Sequence, residues 1–565
     1  MRRVLCGVLA SGTRPVPQDG ARREVWEGVY VLMSSLNAGF DVKRSGTGVL
    51  TIGKEIGYDE SHLDQYGFSM EKKNCRVMLI NPPVSFDVFY GEWDLSDVKS
   101  SSPPLGILSL ASLIRKYGYE VDVVDAHADG LNLDDLKKRV LTFKPHVVGT
   151  TAMTVMIEAA AEILKAVKEV SPEVLTIAGG VHITAEPTET LRRYPYIDFG
   201  VIGEGELAFL DFLDRVVRQK DICEAESLVW RDGDGKLHSN PRRRFFKSLD
   251  EFPPPAFDMV PNLFNHYRLS VFGTKKFKSV GLVSSRGCTG LCVYCDLGVV
   301  GRGYRYNSAE YLINLMKDVY QRYDVTDFLF YDDLFVGSKP RLRKICEIII
   351  REKLPFTWSC CARVDFVHKD MMKLMKQAGC WMIEYGIETG NQRIMDSMRK
   401  NVTVKQVEET IKATADAGII TKGNFILANP GETHDSIMDS INLACRIPLN
   451  YAQHTFLQPL PGSELYETAG KYGTFDPAWD RFNTFSINFI PHGFTRQQLI
   501  DYSKLFWRRF YLRPRIWFQE IKKIRRKEDI QRLWLACKAF VKTVFYRRKL
   551  PQFVLRQRTP VSLVH

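Results

Sequence analysis

Three cysteines lie within eight residues of one another, in the spacing C-x3-C-x2-C formed by Cys288, Cys292 and Cys295. They directly follow an apolar run at 280–283, which predicts a loop at the end of a strand. Thiolates are the usual protein ligands of iron–sulfur clusters, and a short loop can bring three of them to one cluster. The next cysteine is Cys346, so three thiolates on a four-iron cluster would leave one iron free to bind another molecule.

Two other interpretations of these cysteines fit less well. Structural zinc sites take four protein ligands, and neither a fourth cysteine nor a histidine lies nearby. Disulfide frameworks are typical of small secreted chains with an even number of cysteines. The spacing therefore favours a cluster over zinc, a disulfide or coincidence.

The size and composition indicate several domains in a reducing compartment. A chain of 565 residues exceeds the roughly 250–300 that one core supports. Twelve cysteines are too sparse for a secreted disulfide scaffold, so we expect a cytoplasmic protein. No apolar run approaches the roughly 18 residues that suggest a membrane-spanning helix.

The net charge of +12 is concentrated in the C-terminal tail, where the chain from Lys504 onward has 18 lysines and arginines against three acids. The tail also contains aromatic residues at helical spacing, among them Trp534 and Phe545. A basic amphipathic helix with aromatics suits an anionic membrane surface, so residues 504–549 could contact the inner face of the membrane. The simpler interpretation is that this helix packs on the rest of the protein. No nucleic-acid partner is expected, because no recognition motif accompanies the charge.

The segment that follows residue 74 alternates between strand and helix patterns. Strands are predicted at 76–80, 121–124, 147–149, 174–178 and 197–201, with helices at 104–117, 133–143 and 157–170. This alternation predicts an α/β domain with a Rossmann-like, doubly wound parallel sheet. Such sheets bind ligands beyond the carboxyl ends of their strands, where the Gly-rich and Pro-rich turns of this segment fall.

A second alternation begins at the strand before the cysteines. It predicts strands at 280–285, 327–332, 356–361, 381–386, 421–428 and 453–458, each followed by a helical stretch. Six units over about 180 residues fall short of the roughly 250 of a complete eight-unit barrel. We therefore predict a partial (β/α)6 barrel of the TIM type, with the cysteine loop at its active face.

These patterns divide the chain into five predicted regions. They are an N-terminal extension at 1–74, a Rossmann-like domain at 75–222, a connector with a hairpin at 223–279, the partial barrel at 280–465 and a helical basic region at 466–565. The extension has no motif, and residues 1–69 would be absent from a protein whose translation starts at Met70. The intact mass of the natural protein tests this start, and a product beginning at Met1 excludes it.

With these motifs in this order, the chain resembles the radical S-adenosylmethionine superfamily, and more closely the branch with an N-terminal cobalamin-binding domain. The signature is the cysteine loop with an aromatic residue, Tyr294, before the third cysteine, and the resemblance extends over 76–465. It implies that Cys288, Cys292 and Cys295 hold a [4Fe-4S] cluster whose open iron chelates S-adenosylmethionine. Reduction would then release a 5′-deoxyadenosyl radical, which takes a hydrogen atom from the substrate.

The resemblance also assigns residues to S-adenosylmethionine. The implied contacts, from the methionine amino and carboxylate groups to the ribose and the adenine, are Asp332, Asp333, Arg363, Glu388, Gly423 and Asn429. Carboxylates suit an ammonium group or a ribose diol, and arginine matches a carboxylate bidentately. Two alternatives remain open: Asp332 could cap the next helix, and Glu388 could pair with Arg393. Cys360 and Cys361 are expected to be small core residues.

In the first domain the resemblance implies a cobalamin site built from turns. Its implied contacts are Pro83, Gly149, Gly179, Gly180 and Glu204. Glycine would let the backbone approach the corrin ring and its nucleotide tail. A plain nucleotide site is the rival interpretation, but no G-x-G-x-x-G follows the first strand.

One histidine needs separate treatment. Asp125-x-His127-x-x-Gly130 matches the motif by which other cobalamin proteins supply a lower axial ligand to cobalt. In those proteins the motif follows the first strand, whereas here it follows the second, which favours a loop role for His127. An unchanged cobalamin spectrum in His127→Ala would exclude ligation.

The resemblance implies an enzyme that uses the cluster, S-adenosylmethionine and cobalamin together. The leading hypothesis is methylation of an unactivated carbon of a small-molecule or lipid-like substrate, with one S-adenosylmethionine remethylating cobalamin and a second generating the radical. A radical cyclase or ring-rearranging enzyme is the alternative. A non-catalytic cobalamin-binding regulator is a second alternative, which the intact cysteines disfavour. An external electron donor of the flavodoxin or ferredoxin type is implied.

Overall fold

A computed structural model describes residues 41–44, 50–53, 68–83, 101–246, 248–260, 267, 269, 273–483, 486–524 and 527–545. The chain divides into two compact units, Met1–His62 and Leu63–His565. In the first unit, β1 (Asp41–Arg44) pairs antiparallel with β2 (Leu50–Gly53). Most of the predicted N-terminal extension lies outside the described residues, and the start of translation at Met70 stays a prediction.

The second unit begins with a seven-stranded sheet. Its strands are β3 (Arg76–Asn81), β4 (Glu120–Asp125), β5 (Val147–Thr151), β6 (Leu175–Gly179), β7 (Phe199–Val201), β8 (Leu228–Arg231) and β9 (Leu237–Ser239). They lie in the order β4-β3-β5-β6-β7-β8-β9, and the first five are parallel. The predicted doubly wound sheet is therefore confirmed. The hairpin predicted in the connector adds β8 and β9 to this sheet as antiparallel edge strands.

Helices connect the parallel strands of this first sheet. They are α1 (Leu105–Lys116), α2 (Leu133–Phe143), α3 (Ile157–Val170), α4 (Val181–Ala185), α5 (Pro187–Arg193) and α6 (Gly205–Val217). The central strand β3 is apolar from Val77 to Ile80 and buried throughout that run, as expected for a strand covered on both faces. A capping box starts α2, because Asn132 and Asp135 each accept a hydrogen bond from the other's backbone N–H.

A second sheet follows, with six parallel strands in chain order. The elements from β10 to β17 are β10 (Ser279–Leu282), the short strands β11 (Ser285–Arg286) and β12 (Arg305–Tyr306), β13 (Asp327–Phe330), β14 (Thr357–Arg363), β15 (Cys380–Glu388), β16 (Ile420–Leu427) and β17 (Tyr451–Phe456). The sheet order is β10-β13-β14-β15-β16-β17, and β11 pairs only with β12. This arrangement confirms the partial (β/α)6 barrel.

The helices of the second sheet cover its outer face. They are α7 (Ala309–Tyr323), α8 (Lys339–Arg351), α9 (Met372–Gln377), α10 (Gln392–Ser397), α11 (Val404–Asp416) and α12 (His434–Arg446). Side chains on the helix side of the central strands are fully buried, as for Tyr385 and Phe425. Alternate positions face inward and carry polar groups such as Glu384 and Asn424, because successive side chains of a strand point to opposite faces.

The C-terminal part begins with short elements and ends with helices. These are α13 (Glu464–Thr468), β18 (Gly473–Phe475), β19 (Phe489–Pro491), α14 (Arg496–Tyr511), α15 (Pro514–Lys523) and α16 (Lys527–Phe545). The start of the region predicted to be helical is instead a strand pair with loops. Trp479 and Phe482 from those loops join the core of the first sheet. In the described residues, every helix is too short or too polar to cross a membrane.

Candidate active site at the carboxyl ends of two sheets

The cysteine loop leaves the carboxyl end of β10 and is held at several points. Strands β11 and β12 pair Ser285 with Tyr306 and Arg286 with Arg305, which closes the loop at its base. Gly287 has a φ of 82°, and a Cβ there would lie 2.0 Å from the carbonyl oxygen of Gly303, so only glycine fits. The loop therefore has one defined path through its first cysteine.

The three thiols each face a feature that suits a cluster ligand. The Sγ of Cys288 accepts a hydrogen bond from the backbone N–H of Gly290 at 3.3 Å, and that of Cys292 accepts one from Arg363 at 3.3 Å. Burial, together with the nearby Cys292 and Cys288, raises the pKa of Cys295 to about 12. A thiol whose ionisation is opposed in this way, as that of Cys295 is, needs a bound cation to become a thiolate, which is the chemistry a cluster iron supplies.

The described residues contain no group of three His, Cys, Asp or Glu side chains drawn together around a single ion. In a [4Fe-4S] cluster each cysteine ligates a different iron, so the sulfurs are not expected to converge on one point. The donor set, the hydrogen bonds to sulfur and the shared loop therefore fit a cluster.

Two aspartates after β13 tie that strand to the cysteine loop. Asp332 is buried and accepts hydrogen bonds from the backbone N–H and, at 2.6 Å, the hydroxyl of Ser284. Asp333 accepts one from the backbone N–H of Gly287 at 2.9 Å and stays exposed. The capping interpretation of Asp332 is wrong, because the side chain that caps α8 is Ser338. Of the two, Asp333 is the one with a carboxylate edge left for a ligand.

Glu388 ends β15 in a strained conformation and makes a buried ion pair. Its φ is 68°, in the left-handed region that non-glycine residues rarely adopt. Its carboxylate accepts a hydrogen bond from Lys400 at 2.5 Å, with both side chains about nine-tenths buried or more. The alternative of a pair with Arg393 is wrong, because that guanidinium donates to the carbonyl of Gly431. Strain of this kind gathers at ligand sites.

Tyr294 and Arg363 bring Glu388 and the cysteine loop together. Burial raises the pKa of Tyr294 well above its usual value, and the neighbouring Glu388 and Cys292 raise it further. Arg363 also donates to the carbonyl oxygen of Lys400 at 2.8 Å and to Asp365. Three separate segments of the chain thus meet at the carboxyl ends of β14 and β15. They contribute Cys292 with Tyr294, Arg363, and Glu388.

The turn after β16 presents a buried acceptor. The Asn429 side chain donates to the carbonyl of Ile426, while its Oδ1 is buried without a hydrogen-bond partner. Glu432 accepts from the backbone N–H of Asn429 at 2.9 Å, and burial raises its pKa to about 7. An orphaned buried acceptor of this kind suits a ligand N–H or O–H group. A Cβ at Gly423 would lie 2.8 Å from both Ile387 and Leu449, so close packing explains that glycine, and a place beside adenine stays a prediction.

The sequence interpretation missed two polar residues inside the barrel. Lys422 lies 3.0 Å from Glu384, its direct partner across β15 and β16, and Asn424 donates to the same carboxylate at 2.7 Å. The Oδ1 atom of Asn424 is buried without a partner. The available signal was the alternation of polar and apolar residues along β16, since a strand buried on both faces would carry no lysine.

The carboxyl end of the first sheet is made of small and apolar groups. Gly180 has a φ of 99°, and a Cβ there would lie 2.7 Å from Thr151 Oγ1. Around it, Met153 and Val181 leave large apolar side chains more than 40% exposed. A Cβ at Gly179 would make only an ordinary van der Waals contact, at 3.9 Å from Val201. This edge fits a broad ring system, which needs room and apolar contact rather than many polar partners.

Other predicted cobalamin contacts lie in different surroundings. A Cβ at Gly149 would lie 2.9 Å from Leu79, so packing inside the domain explains this glycine. Pro83 follows β3 at the limit of the described residues. Glu204 forms ion pairs with Arg286 of the cysteine loop and with Arg305.

The motif around His127 lies after β4, which is the edge strand of the sheet. Its aspartate, Asp125, is buried and accepts hydrogen bonds from Asn81, Tyr267 and the backbone of Ala128. The aspartate therefore anchors its own loop, and the loop role of His127 remains the favoured prediction.

Two family models match the chain, in the order of its two sheets. The model of the B12 binding domain matches residues 94–213, and that of the Radical SAM superfamily matches residues 282–444. The second match includes the cysteine loop and ends within α12.

Curated relatives match the chain over most of their own length. An uncharacterised methyltransferase of Pyrococcus horikoshii is 29% identical over 456 residues, covering 80% of this chain and 95% of that protein. An anaerobic magnesium-protoporphyrin IX monomethyl ester cyclase of Rubrivivax gelatinosus is 26% identical, covering 80% of this chain and 81% of that protein.

A solved structure shows the same fold. The cobalamin-dependent S-adenosylmethionine radical enzyme OxsB, with aqua-cobalamin and S-adenosylmethionine bound, matches with a TM-score of 0.67 and 15% identity over 92% of this chain and 84% of that one. Because both domains match in the predicted order, the chain belongs to the radical S-adenosylmethionine enzymes that carry an N-terminal B12-binding domain.

Proposed function

We propose that this enzyme methylates an unactivated carbon of a small-molecule substrate, using a [4Fe-4S] cluster, S-adenosylmethionine and cobalamin. The observation that carries the proposal is the contact between the two sheets at their carboxyl ends, where Glu204 of the first pairs with Arg286 beside the cysteine loop of the second. Ligands of both sheets bind at those ends. A substrate between them would therefore meet both cofactors.

We assign the cluster to Cys288, Cys292 and Cys295. When bound, the cofactors supply hydrogen-atom abstraction and a transferable methyl group, and the protein supplies position and electrostatics. Arg363 places a permanent positive charge beside the sulfur of Cys292. Burial raises the pKa of Tyr294, which keeps this side chain a neutral hydroxyl donor next to the cluster.

The S-adenosylmethionine contacts follow from the groups left open at the second sheet. Asp333 keeps an exposed carboxylate edge for an ammonium group. Glu388 is fixed by Lys400 where its second carboxylate oxygen could accept a hydrogen bond from a ribose hydroxyl. Asn429 offers its unpaired Oδ1 to a donor such as the adenine amino group. In the first sheet, Gly179 and Gly180 give the corrin ring access to the backbone.

A radical cyclase is the second candidate, because a cyclase is among the relatives that match most of this chain. Methylation is favoured, since the relative matched over 95% of its length is a methyltransferase. The regulator hypothesis is dropped, because the chain is a radical enzyme by family.

Anaerobic turnover with candidate substrates separates the two reactions. Methylation yields S-adenosylhomocysteine together with 5′-deoxyadenosine, whereas cyclisation yields 5′-deoxyadenosine alone. A Cys292→Ala variant is the blank, because it removes a proposed cluster ligand. Formation of 5′-deoxyadenosine without S-adenosylhomocysteine, at full conversion of a substrate, would overturn the methylation proposal.

The electron for each cycle is proposed to come from a flavodoxin or ferredoxin type of protein. Leu291, inside the cysteine loop, is 51% exposed, and the neighbouring Arg302 donates to the carbonyl of Gly290 at 2.7 Å. An apolar and basic surface beside the cluster suits an acidic reductant. EPR can monitor the rate at which flavodoxin reduces the cluster, and this rate should be lower in Leu291→Glu. An unchanged rate would count against docking at the surface around Leu291 and Arg302.

The basic tail is proposed to contact an anionic membrane at the inner face of the cell. On α15 and α16, Phe518, Ile521, Ile530 and Trp534 are 55–60% exposed. Lysine ammonium groups lie over two of these rings, Lys522 at 4.3 Å from Phe518 and Lys538 at 5.1 Å from Trp534. Exposed aromatics among cations match an anionic lipid surface.

The same tail also packs on the protein, as the simpler interpretation expected. Tyr511 of α14 and Phe540 of α16 form a ring contact at 6.0 Å between centroids. One side of α16 is therefore occupied, and the membrane would meet the other.

Vesicle co-sedimentation tests the membrane proposal. The protein should pellet with phosphatidylglycerol vesicles and not with phosphatidylcholine vesicles, and the double variant Phe518→Ser with Trp534→Ser should remain in solution. Leu141→Ser is the matched control, because Leu141 is 51% exposed on α2, far from the tail in sequence. Absence of binding to the anionic vesicles, or equal loss in the control, would overturn it.

A further inference from the structure

Two glutamates of the first sheet and two arginines of the cysteine loop form one buried ion network. Arg286 Nη1 lies 2.9 Å from Glu204 Oε1, and its Nη2 donates to Glu206. Arg305 Nη1 lies 2.9 Å from Glu204 Oε2, and its Nη2 lies 3.0 Å from Oε1 of the same carboxylate. The four side chains are 5–20% exposed, and their charges balance.

The fork of Arg286 spans two carboxylates that the backbone holds in place. Glu204 precedes α6, and Glu206 lies in its first turn, where the helix dipole favours negative charge. Although burial raises the pKa of Glu206, the facing Arg286 lowers it below the usual value. The guanidinium of Arg286 reaches both carboxylates because its planar fork presents two donors, one to Glu204 and one to Glu206.

On the first sheet, the network continues to the glycine turn after β6. The hydroxyl of Thr184 donates to the carbonyl of Gly180 at 2.9 Å and accepts from the backbone N–H of Gly203 at 3.0 Å. Gly203 directly precedes Glu204. Hydrogen bonds, with the peptide bond between Gly203 and Glu204, therefore connect Gly180 to Arg286.

On the second sheet, Arg286 stands two residues before Cys288. Gly287 between them has a left-handed φ of 82°, and its backbone N–H donates to Asp333 at 2.9 Å. We expect a shift of Arg286 to displace the first cysteine of the cluster loop, because a single residue held by this hydrogen bond joins the two.

We propose that Arg286, Glu204, Glu206 and Arg305 are positioning residues that set the separation between the cysteine loop and the cobalamin edge of the first sheet. This rests on the proposed function, in which the substrate must reach both cofactors in one orientation. Replacement of a buried ion pair by apolar residues is often neutral for net stability, so the role we assign to this network is geometric. A misplacement of about 1 Å costs on the order of 100-fold in rate for a step that needs aligned reactants.

The first test needs no cofactor and no substrate. In Arg286→Lys, which keeps the charge but cannot span both carboxylates, amide hydrogen exchange should be at least about tenfold faster in residues 202–206 and in residues 284–306, because charge-assisted hydrogen bonds are lost. Arg139→Lys is the matched control, since it breaks a bidentate pair with Asp122 inside the first domain alone. Unchanged exchange in residues 202–206 would overturn the proposal.

The second test measures the separation itself in the loaded protein. The reduced cluster and cob(II)alamin are both paramagnetic, so dipolar EPR reports their distance. Arg286→Lys and Glu204→Gln should broaden the distance distribution, and the wild type and Arg139→Lys should share one narrow distribution. A narrow distribution in both network variants would overturn the proposal, whatever the enzyme's reaction. A variant that fails to load is still judged by the exchange test.

With a substrate in hand, the network variants should also uncouple the reaction. The ratio of methylated product to 5′-deoxyadenosine should fall about tenfold or more, while the KM for S-adenosylmethionine stays near the wild-type value. An unchanged ratio with a lower overall rate indicates a merely structural role and would overturn the proposal.

Discussion

The carboxyl ends of the two sheets are built on opposite plans. The second presents charged and hydrogen-bonding side chains, such as Arg363 and Glu388 with its partner Lys400. The first presents glycine turns and exposed apolar side chains, with Gly180 and Met153 as examples. A small polar co-substrate is held by many directional contacts, whereas a large macrocycle needs space and a flat apolar surface to pack against. This difference predicts that a substitution at one site removes the cofactor of that site and leaves the other cofactor bound.

The largest effect is expected from Cys292→Ala in the second sheet. Loss of one proposed ligand should abolish formation of 5′-deoxyadenosine and lower the iron content, while cobalamin content stays at the wild-type level. Iron analysis and absorbance spectra of the reconstituted protein measure both. Simultaneous loss of cobalamin would show that the two sites are not independent.

The opposite loss, of cobalamin rather than of the cluster, is expected from Gly180→Val at the first sheet. A side chain there requires a left-handed φ and a Cβ 2.7 Å from Thr151 Oγ1, so the turn should shift, with a cost of about 1–3 kcal/mol in backbone strain. Cobalamin binding should be lost and the cluster retained, as absorbance and iron content would show. Gly233→Ala is the control, since a Cβ there meets nothing within 4 Å.

A smaller effect is expected from the ion pair inside the barrel. Glu384→Gln leaves Lys422 charged and largely buried, which should lower the free energy of unfolding by about 3 kcal/mol. The double variant Glu384→Gln with Lys422→Met should recover part of that loss, because no unpaired charge remains. Urea unfolding measures each variant, and strictly additive losses would show that the two side chains do not interact.

The smallest effects concern how the stability of the protein depends on pH. His182 in the first domain and Glu432 in the second are expected to give slopes of opposite sign. Burial lowers the pKa of His182 to about 3, so the unfolded chain binds a proton first and stability falls as the pH drops below about 6.5. Burial raises the pKa of Glu432 to about 7, so the unfolded chain releases its proton first and stability falls as the pH rises from about 4.5 to 7. Each slope is at most about 1.4 kcal/mol per pH unit.

Melting curves from pH 5 to 8 test these slopes. His182→Asn should remove the loss on the acid side, and Glu432→Gln should remove the loss toward neutral pH. A variant whose pH profile parallels that of the wild type would show that its residue does not carry the slope.

Local pattern made much of the fold predictable. The strands of both sheets were predicted within a few residues, because apolar runs and their turns are written in contiguous sequence. The cysteine loop was predictable for the same reason, since its ligands lie within eight residues of one another. The strand pair before α14 was missed, because its short segments carry no sustained alternation.

Side-chain contacts between residues distant in sequence could not be predicted. The alternative left open for Glu388 was a pair with Arg393, five residues away, but the fold gives it Lys400. Gly149 and Gly423 were assigned to cofactors, which stays a prediction, and the structure adds that side chains from other elements stand where a Cβ would be. The sequence shows that the residue at a position is small, but only the packed structure shows which side chains lie against it.

The sequence by itself determined the order of the two domains, the parallel sheets and the three-cysteine loop with its missing fourth ligand. These depend on spacing and periodicity, which act over a few residues. Only the tertiary structure showed that Glu204 meets Arg286 from 82 residues away, and that Lys422 and Glu384 face each other inside the barrel. Such contacts depend on which strands become neighbours, and that is decided by the burial of the whole sheet rather than by any one segment.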